Sequence, residues 1–432
     1  MKELLKNKVA SNAIWIIVGR VVQSILALIV SMLTARYLGP LNFGLLNYAA
    51  SIVAFALPIM NLGLSNILVQ ETTNYPEEEG KIYGTSIILS FVSSLVCMMG
   101  VTLYTFVVDT GEMVTHYVVI LYSLMLVFQA FELIQYWFQA KLLSKYMSIS
   151  YLVTYMIVSA YKIILLAKGA NIYFFAVTNS LDALLIAIML MVLYRKLGGK
   201  KFAFSGELAN RMVGKSKHYI VSGLMVTVFA QTDRIMLKLM MDETSVGYYS
   251  AAVTCAGMTA FVFAAIIDSM RPSIFAHKKN GESEAYERGI ARTYCIIIYL
   301  ALLQSLAMTI LAKIIILVLY GRDYLPAISA LRIVVWYTTF SYMGSVRNVW
   351  ILGENKQKYL WILNTGGALM NVVLNATFIP FMGVNGAALA SLLTQIFTNI
   401  IMNVVVWPLK YNNHLIWKGL NPNLVIGLFK NR

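Results

Sequence analysis

The sequence predicts an all-α integral membrane protein of about twelve transmembrane helices arranged as two six-helix lobes. Three observations carry that prediction. The 432 residues are 59% hydrophobic, with a mean hydropathy of +0.72, above the roughly 45–50% apolar content of soluble domains. Windows of the roughly 20 apolar residues that cross a hydrocarbon core recur along nearly the whole chain. The basic residues of the connecting segments fall almost entirely on one side when sides are alternated.

The first span, residues 13–38, is too long for a signal-peptide core and lacks a small-residue cleavage site, so it is kept as a helix. Spans 43–66, 83–108, 115–138, 148–168 and 172–194 complete the N-terminal lobe, residues 1–194. Residues 195–217 (RKLGGKKFAFSGELANRMVGKSK) are basic and glycine-containing, the composition of a solvated cytoplasmic linker. Spans 218–240, 246–270, 290–319, 328–352, 359–381 and 384–409 make the C-terminal lobe, 218–409, and residues 410–432 form a cytoplasmic tail. The stretch 271–289 reads as a cytoplasmic loop, and Glu77, Glu78 and Glu79 as a solvated charge run.

Placing Lys2, Lys6 and Lys8 inside puts Lys141, Lys145, Lys200, Lys201, Arg211, Lys278 and most other loop cations on the same side. Only Arg36, Lys168 and Arg322 fall in outer loops. That bias assigns both termini to the cytoplasm. It also accounts for most of the formal charge of +15 without nucleic acid as a partner. Cys97, Cys255 and Cys295 lie in separate spans without metal-ligand spacing and read as packing residues. No nucleotide-binding glycine motif, zinc spacing or nucleophile elbow occurs, so no cofactor, metal or catalytic residue is assigned.

The halves resemble each other. PLNFGLLNYAAS, opening the second span, is similar to ETSVGYYSAAVT, opening the eighth, with Gly44 opposite Gly247 at an offset of 203. On a 3.6-residue period, Arg20, Gln23, Ser24 and Ser31 share one face of the first span, and Thr227, Gln231, Arg234 and Lys238 one face of the seventh. Asn47, Ser51, Asn61 and Ser65 mark the second span, as Ser250, Thr254 and Asp268 mark the eighth. Six spans per half bring both halves in from the same side, so the axis relating them runs along the membrane normal.

A charge at mid-membrane costs about 2.5–3.5 kcal/mol on insertion scales and so faces a bundle interior or watery cavity. Cations are prominent here, which points to a cavity that holds an anion. Arg20, Arg234, Lys238 and Arg347 are its candidate cations, with Gln23, Asn61 and Asp268 as polar lining. Snorkelling of Arg20 and Lys238, and helix packing by the small residues, are the competing readings. Glu132, Lys162, Asp182 and Asp233 are candidates for ion coupling. For Lys162 and Asp182 a buried ion pair fits equally, and Glu132 fits equally as a helix brace.

The stretches TARYLGPLNFGLLNYAAS, QTDRIMLKLMMDETSVGYYSAA, ILGENKQKYLWI and NVVLNATFIPFMGVNGAALAS resemble those of Wzx-type O-antigen and polysaccharide flippases. These belong to the polysaccharide-transporter branch of the MOP superfamily, which also holds MATE exporters and lipid II flippases. The resemblance implies a MATE-like fold whose central V-shaped cavity is lined by spans 1, 2, 7 and 8. It implies undecaprenyl diphosphate carrying an oligosaccharide as substrate, with Arg20 and Arg234 on the diphosphate. It also implies a bacterial inner membrane, membrane lipid as partner, proton or sodium as candidate coupling ion, and polysaccharide assembly proteins as candidate partners. Two rivals stay open. A MATE-like exporter of organic cations predicts acids and aromatics in the cavity, and a membrane polysaccharide polymerase, an enzyme, needs a large outer loop that the spans do not leave.

Overall fold

The computed structural model describes the backbone of residues 8–424 and the side chains of residues 22–424. Regular structure among them is helical throughout. In the first half these are α1 (Lys8–Met60), α2 (Leu68–Asn74), α3 (Glu79–Val108), α4 (Met113–Gln129), α5 (Gln135–Ala140), α6 (Ser144–Ala167) and α7 (Ile172–Lys196). Then come α8 (Gly206–Met240), α9 (Glu243–Gly257), α10 (Ala260–Lys279), α11 (Ser283–Leu319) and α12 (Ala327–Gly353). The chain ends on α13 (Leu360–Met382), α14 (Val384–Ile396), α15 (Met402–Val405) and α16 (Tyr411–Gly419).

Ten stretches among the described residues are long and apolar enough to cross a membrane. The first of them is two helices: Gly39, at φ 72° and ψ 172°, breaks α1 into limbs 8–38 and 40–60. Glycine alone takes that conformation without strain. α12 is as long as its neighbours but more polar, carrying Arg332 and Arg347. With both limbs of α1 and with α12, twelve helices match the twelve windows read from the sequence.

Their outer faces identify the solvent. Val92, Val96, Met99, Leu103 and Val107 form an exposed stripe on α3, and Leu303, Leu306, Ile310, Ile314 and Val318 another on α11. The three- and four-residue spacing puts each set on one helix face. Whole helix faces of exposed aliphatic residues are stable only against hydrocarbon.

The chain forms two compact units: residues 1–38 with 45–231, and residues 39–44 with 232–432. In unit 1, α4 packs against α3 and α7, and α6 against α7. Its core gathers Tyr83, Trp137, Phe138, Leu190 and Tyr194 with Leu208 and Met212. In unit 2, α12 packs against α9, α11 and α14, and α13 against α14. Phe263, Tyr294, Tyr342 and Trp350 lie in its core.

The short corner 39–44 makes a reciprocal contact within unit 2. A Cβ on Gly44 would meet Glu243 O at 1.7 Å, and one on Gly247 would meet Pro40 O at 2.0 Å. Pro40 and Glu243, like Gly44 and Gly247, are partners under the offset of 203. Repeat-related residues therefore touch each other's counterparts within unit 2.

Three expectations are corrected. The stretch 195–217 is not a free linker. Its residues from Gly206 onward are helical, with Leu208 and Met212 in the core of unit 1. The stretch 271–289 is not a loop, because α10 continues through Pro272 to Lys279 and α11 begins at Ser283. The acidic run is not simply solvated: Glu79 is buried and pairs with Lys141 at 2.9 Å. Within the stretch read as a tail, α16 docks on α11.

Candidate functional site

Two breaks in otherwise regular helices lie at or beside ionisable groups. In unit 1, α4 gives way to a 3-10 turn at Ala130–Ile134 before α5 resumes, and Glu132 sits in that turn. The hydroxyl of Tyr151, on α6, donates to Glu132 Oε2 at 3.4 Å and to Gln135 Oε1 at 3.2 Å. Asp182 of α7 acts electrostatically on Glu132 and on Lys162 of α6. Asp182 Oδ1 and Gln129 Oε1 are buried with no donor among the described residues. The structure thus gathers three of the four ion-coupling candidates in one place, where two buried acceptor oxygens have no donor among the described residues.

The fourth lies elsewhere. Asp233, buried on α8, is in unit 2. Its Oδ1 accepts from Asn371 Nδ2 at 2.9 Å and Asn375 Nδ2 at 2.6 Å. Its Oδ2 accepts from Ser391 Oγ at 2.5 Å and from the Tyr249 hydroxyl. Four donors fill the hydrogen-bonding capacity of one carboxylate, and they come from α9, α13 and α14. Asn371 and Asn375 reach it together because residues four apart share a helix face. That amide pair was visible in the sequence. Its partner was not, since it lies more than a hundred residues away.

The candidate substrate residues divide between the two units. Arg234 Nε donates to Ser250 Oγ of α9 at 3.0 Å. Lys238 is buried and paired with Glu243 Oε1 at 2.8 Å. Arg347 is buried in unit 2, its Nη1 donating to Thr398 O at 2.7 Å. That carbonyl belongs to the π-helical turn Phe397–Ile401, where the regular helical bonding pattern lapses. Asp268 is exposed and pairs with Arg271 at 3.0 Å. Gln23 and Asn61 are half-buried in unit 1. The side chain of Arg20 lies outside the described residues. Among those residues, no group of three or more His, Cys, Asp and Glu side chains is placed to hold a metal ion.

The profile of a family described as "Polysaccharide biosynthesis protein" matches residues 9–278, more than half of the chain. Solved structures share the fold. The lipid II flippase MurJ in an inward closed conformation superposes with a TM-score of 0.70 at 13% identity, over 96% of this chain and 92% of that one. An inward-facing multidrug resistance MATE family transporter of the MOP superfamily gives 0.65 at 14% identity, over 91% and 95%. A eukaryotic MATE transporter gives 0.60 at 12%, over 96% and 98%. A search of curated proteins finds no match. At these identities the structural likeness speaks to fold, while the profile speaks to family.

Proposed function

The chain belongs to the polysaccharide biosynthesis protein family, and on that premise we propose that it is a flippase for lipid-linked oligosaccharide. It moves undecaprenyl diphosphate carrying a short sugar chain from the cytoplasmic to the outer leaflet of a bacterial inner membrane, by alternating access. The observation that carries this reading is the family match on a chain built from membrane-crossing helices with a MOP-superfamily fold. Transport needs no bond to be made or broken, in keeping with a sequence that offers no nucleophile or metal motif. Both termini lie in the cytoplasm on this reading.

Arg20 and Arg234 hold the diphosphate, since guanidinium groups bind phosphate oxygens bidentately. Lys238, Arg347 and Arg234 are each engaged, by Glu243, the Thr398 carbonyl and Ser250 respectively, and the deeper burial of Lys238 and Arg347 makes them the weaker members of the cationic set. Gln23, Asn61 and Asp268 contribute polar lining. Moving one negative charge outward gains about 2.3 kcal/mol per 100 mV of inside-negative potential, and a diphosphate draws on more than one charge. Proton or sodium antiport is the alternative energy source. The grouping of Glu132, Asp182 and Lys162, with Asp182 Oδ1 left without a donor among the described residues, supports it, with Asp233 as the second candidate.

An organic-cation exporter is the second reading, favoured by the MATE structures among the fold relatives. The two separate in a flippase-null strain. Arg20→Ala and Arg234→Ala, each confirmed to insert normally, are expected to lose surface polysaccharide and accumulate lipid-linked oligosaccharide on the cytoplasmic side. Normal export by both variants would remove the cations from the substrate path.

A further inference from the structure

One end of unit 2 carries α16 and a group of exposed tryptophans. α16 is fixed there by one face. Asn412 Oδ1 accepts from the Tyr294 hydroxyl of α11 at 3.0 Å. Leu415 and Ile416 enter the core beside it. Gly419 lies so near α11 that an added Cβ would come within 2.6 Å of Tyr294 Cβ. Glu287 of α11 accepts from the Tyr411 hydroxyl at 2.5 Å and pairs with Lys418 at 3.0 Å. With that face committed, the helical period turns Tyr411, His414 and Trp417 outward.

Trp417 is 72% exposed, Trp407 is 75% exposed and Trp361 is 60% exposed. By contrast Trp137 and Trp350 are buried, and Trp336 donates its ring N–H to Thr309 at 3.1 Å. The three exposed rings share one end of the unit. Lys356, just before α13, donates to Pro408 O beside Trp407 at 2.8 Å, and Glu287 joins α11 to α16. Each ring also has a lysine nearby. Lys410 Nζ stands 4.8 Å over the Trp407 ring, Lys418 follows Trp417, and Lys358 precedes Trp361. Lys358 and Lys410 have no carboxylate within salt-bridge distance among the described residues.

Position selects the partner. Trp361 lies in the first turns of the span Gln357–Met382, and Trp407 lies two residues past the end of the span Val384–Val405. Both therefore sit where helices leave hydrocarbon. A tryptophan there buries its ring and keeps its N–H wet, and an adjacent ammonium meets lipid phosphate. We propose that this rim, Trp361, Trp407 and Trp417 with Lys358, Lys410 and Lys418, is a docking surface for anionic phospholipid headgroups. α16 lies in the headgroup layer as its outermost part.

The test places an environment-sensitive fluorophore at Trp417→Cys, with Cys97, Cys255 and Cys295 replaced by alanine, in nanodiscs of phosphatidylcholine with or without phosphatidylglycerol. The expected result is strong quenching by lipids with a nitroxide near the headgroup. Iodide quenching should be several-fold weaker than for the same label at Glu284→Cys, whose native side chain is 88% exposed. Phosphatidylglycerol should shift the emission further to the blue, and Lys410→Gln with Lys418→Gln should abolish that shift. Equal iodide quenching at the two positions overturns the proposal, because the face would then be open to water or to a soluble partner. Identical spectra in the two lipid compositions overturn it as well. If Trp417→Cys fails to fold, His414→Cys, exposed on the same face of α16, carries the label with the same readouts.

Discussion

Removing the Asp233 carboxylate leaves four donors from three helices facing one another in a buried site. Each unpaired buried donor costs about 1–3 kcal/mol, so Asp233→Ala is expected to lower the melting temperature of the purified protein by many degrees. Asp268→Ala, at an exposed residue paired only with Arg271, should change it little; equal effects would contradict the assigned network. Gly44 and Gly247 make a second residue-level case. An added Cβ at either meets backbone oxygen, at 1.7 and 2.0 Å, which no side-chain rotation relieves. Gly44→Ala and Gly247→Ala should each destabilise by about 1–3 kcal/mol or more, while Gly100→Ala, with nothing within 4 Å of the added atom, should be tolerated in the same thermal-shift assay. At this scale the sequence was half legible. It marked Asp233 as one of several intramembrane acids and Gly44 as the repeat partner of Gly247. It did not reveal what either touches, because those partners lie far along the chain.

α8 and the segment leading into it changed most between sequence and structure. Residues 200–216 form a strap along unit 1. Ala203 N donates to Gly80 O at 3.1 Å, and Ser205 N to Thr85 Oγ1 at 3.0 Å. Phe202 stacks on Tyr194 with centroids 5.0 Å apart. Lys215 and Arg211 pair with the buried Glu71 at 2.7 and 3.4 Å, and Arg211 also with Glu78 at 2.9 Å. None of this has a compositional signature. Basic, glycine-rich sequence reads as solvated because its hydrophobic content is low, yet here much of the contact is backbone lying against glycines. Gly80 and Gly84 admit the strap, since an added Cβ would stand 2.2 Å from Lys201 O and 2.4 Å from Ala203 O. Farther along α8, Gln231 Oε1 accepts from Ser51 in unit 1 at 3.0 Å, while Asp233 is held within unit 2. The helix thus changes allegiance within two residues. A Thr85→Cys/Ser205→Cys disulfide, formed in a background without the native cysteines, should leave export in the flippase-null strain intact, because the strap stays with unit 1. Loss of export that a reductant restores would show that it must undock.

For the molecule as a whole, hydropathy carried the most information. Eleven of the twelve apolar windows fall in the ten membrane-length stretches among the described residues, because a run of about 20 apolar residues has few other stable fates in a bilayer. The helix breaks at 130–134 and 397–401 were illegible, since each is held by distant partners such as Tyr151 and Arg347. The direction in which each intramembrane charge points was illegible for the same reason: sequence gives the helix face, and packing decides what that face meets. Energy coupling belongs to this scale too. If the potential drives outward movement of the diphosphate, an inside-negative potassium diffusion potential should raise the flipping rate, and collapsing it with valinomycin in equal potassium should abolish the gain. Indifference to the potential would leave ion antiport, with loss of transport in Glu132→Gln and Asp182→Asn as its signature. The central claim is the identity of the cargo. Its most direct test is purified protein in proteoliposomes, following both a fluorescent undecaprenyl-diphosphate oligosaccharide between leaflets and an organic cation across the membrane. The lipid is expected to move, Arg234→Ala to slow it severely, and the organic cation to stay. Movement of the cation with the lipid left in place would contradict that claim and make the protein an exporter.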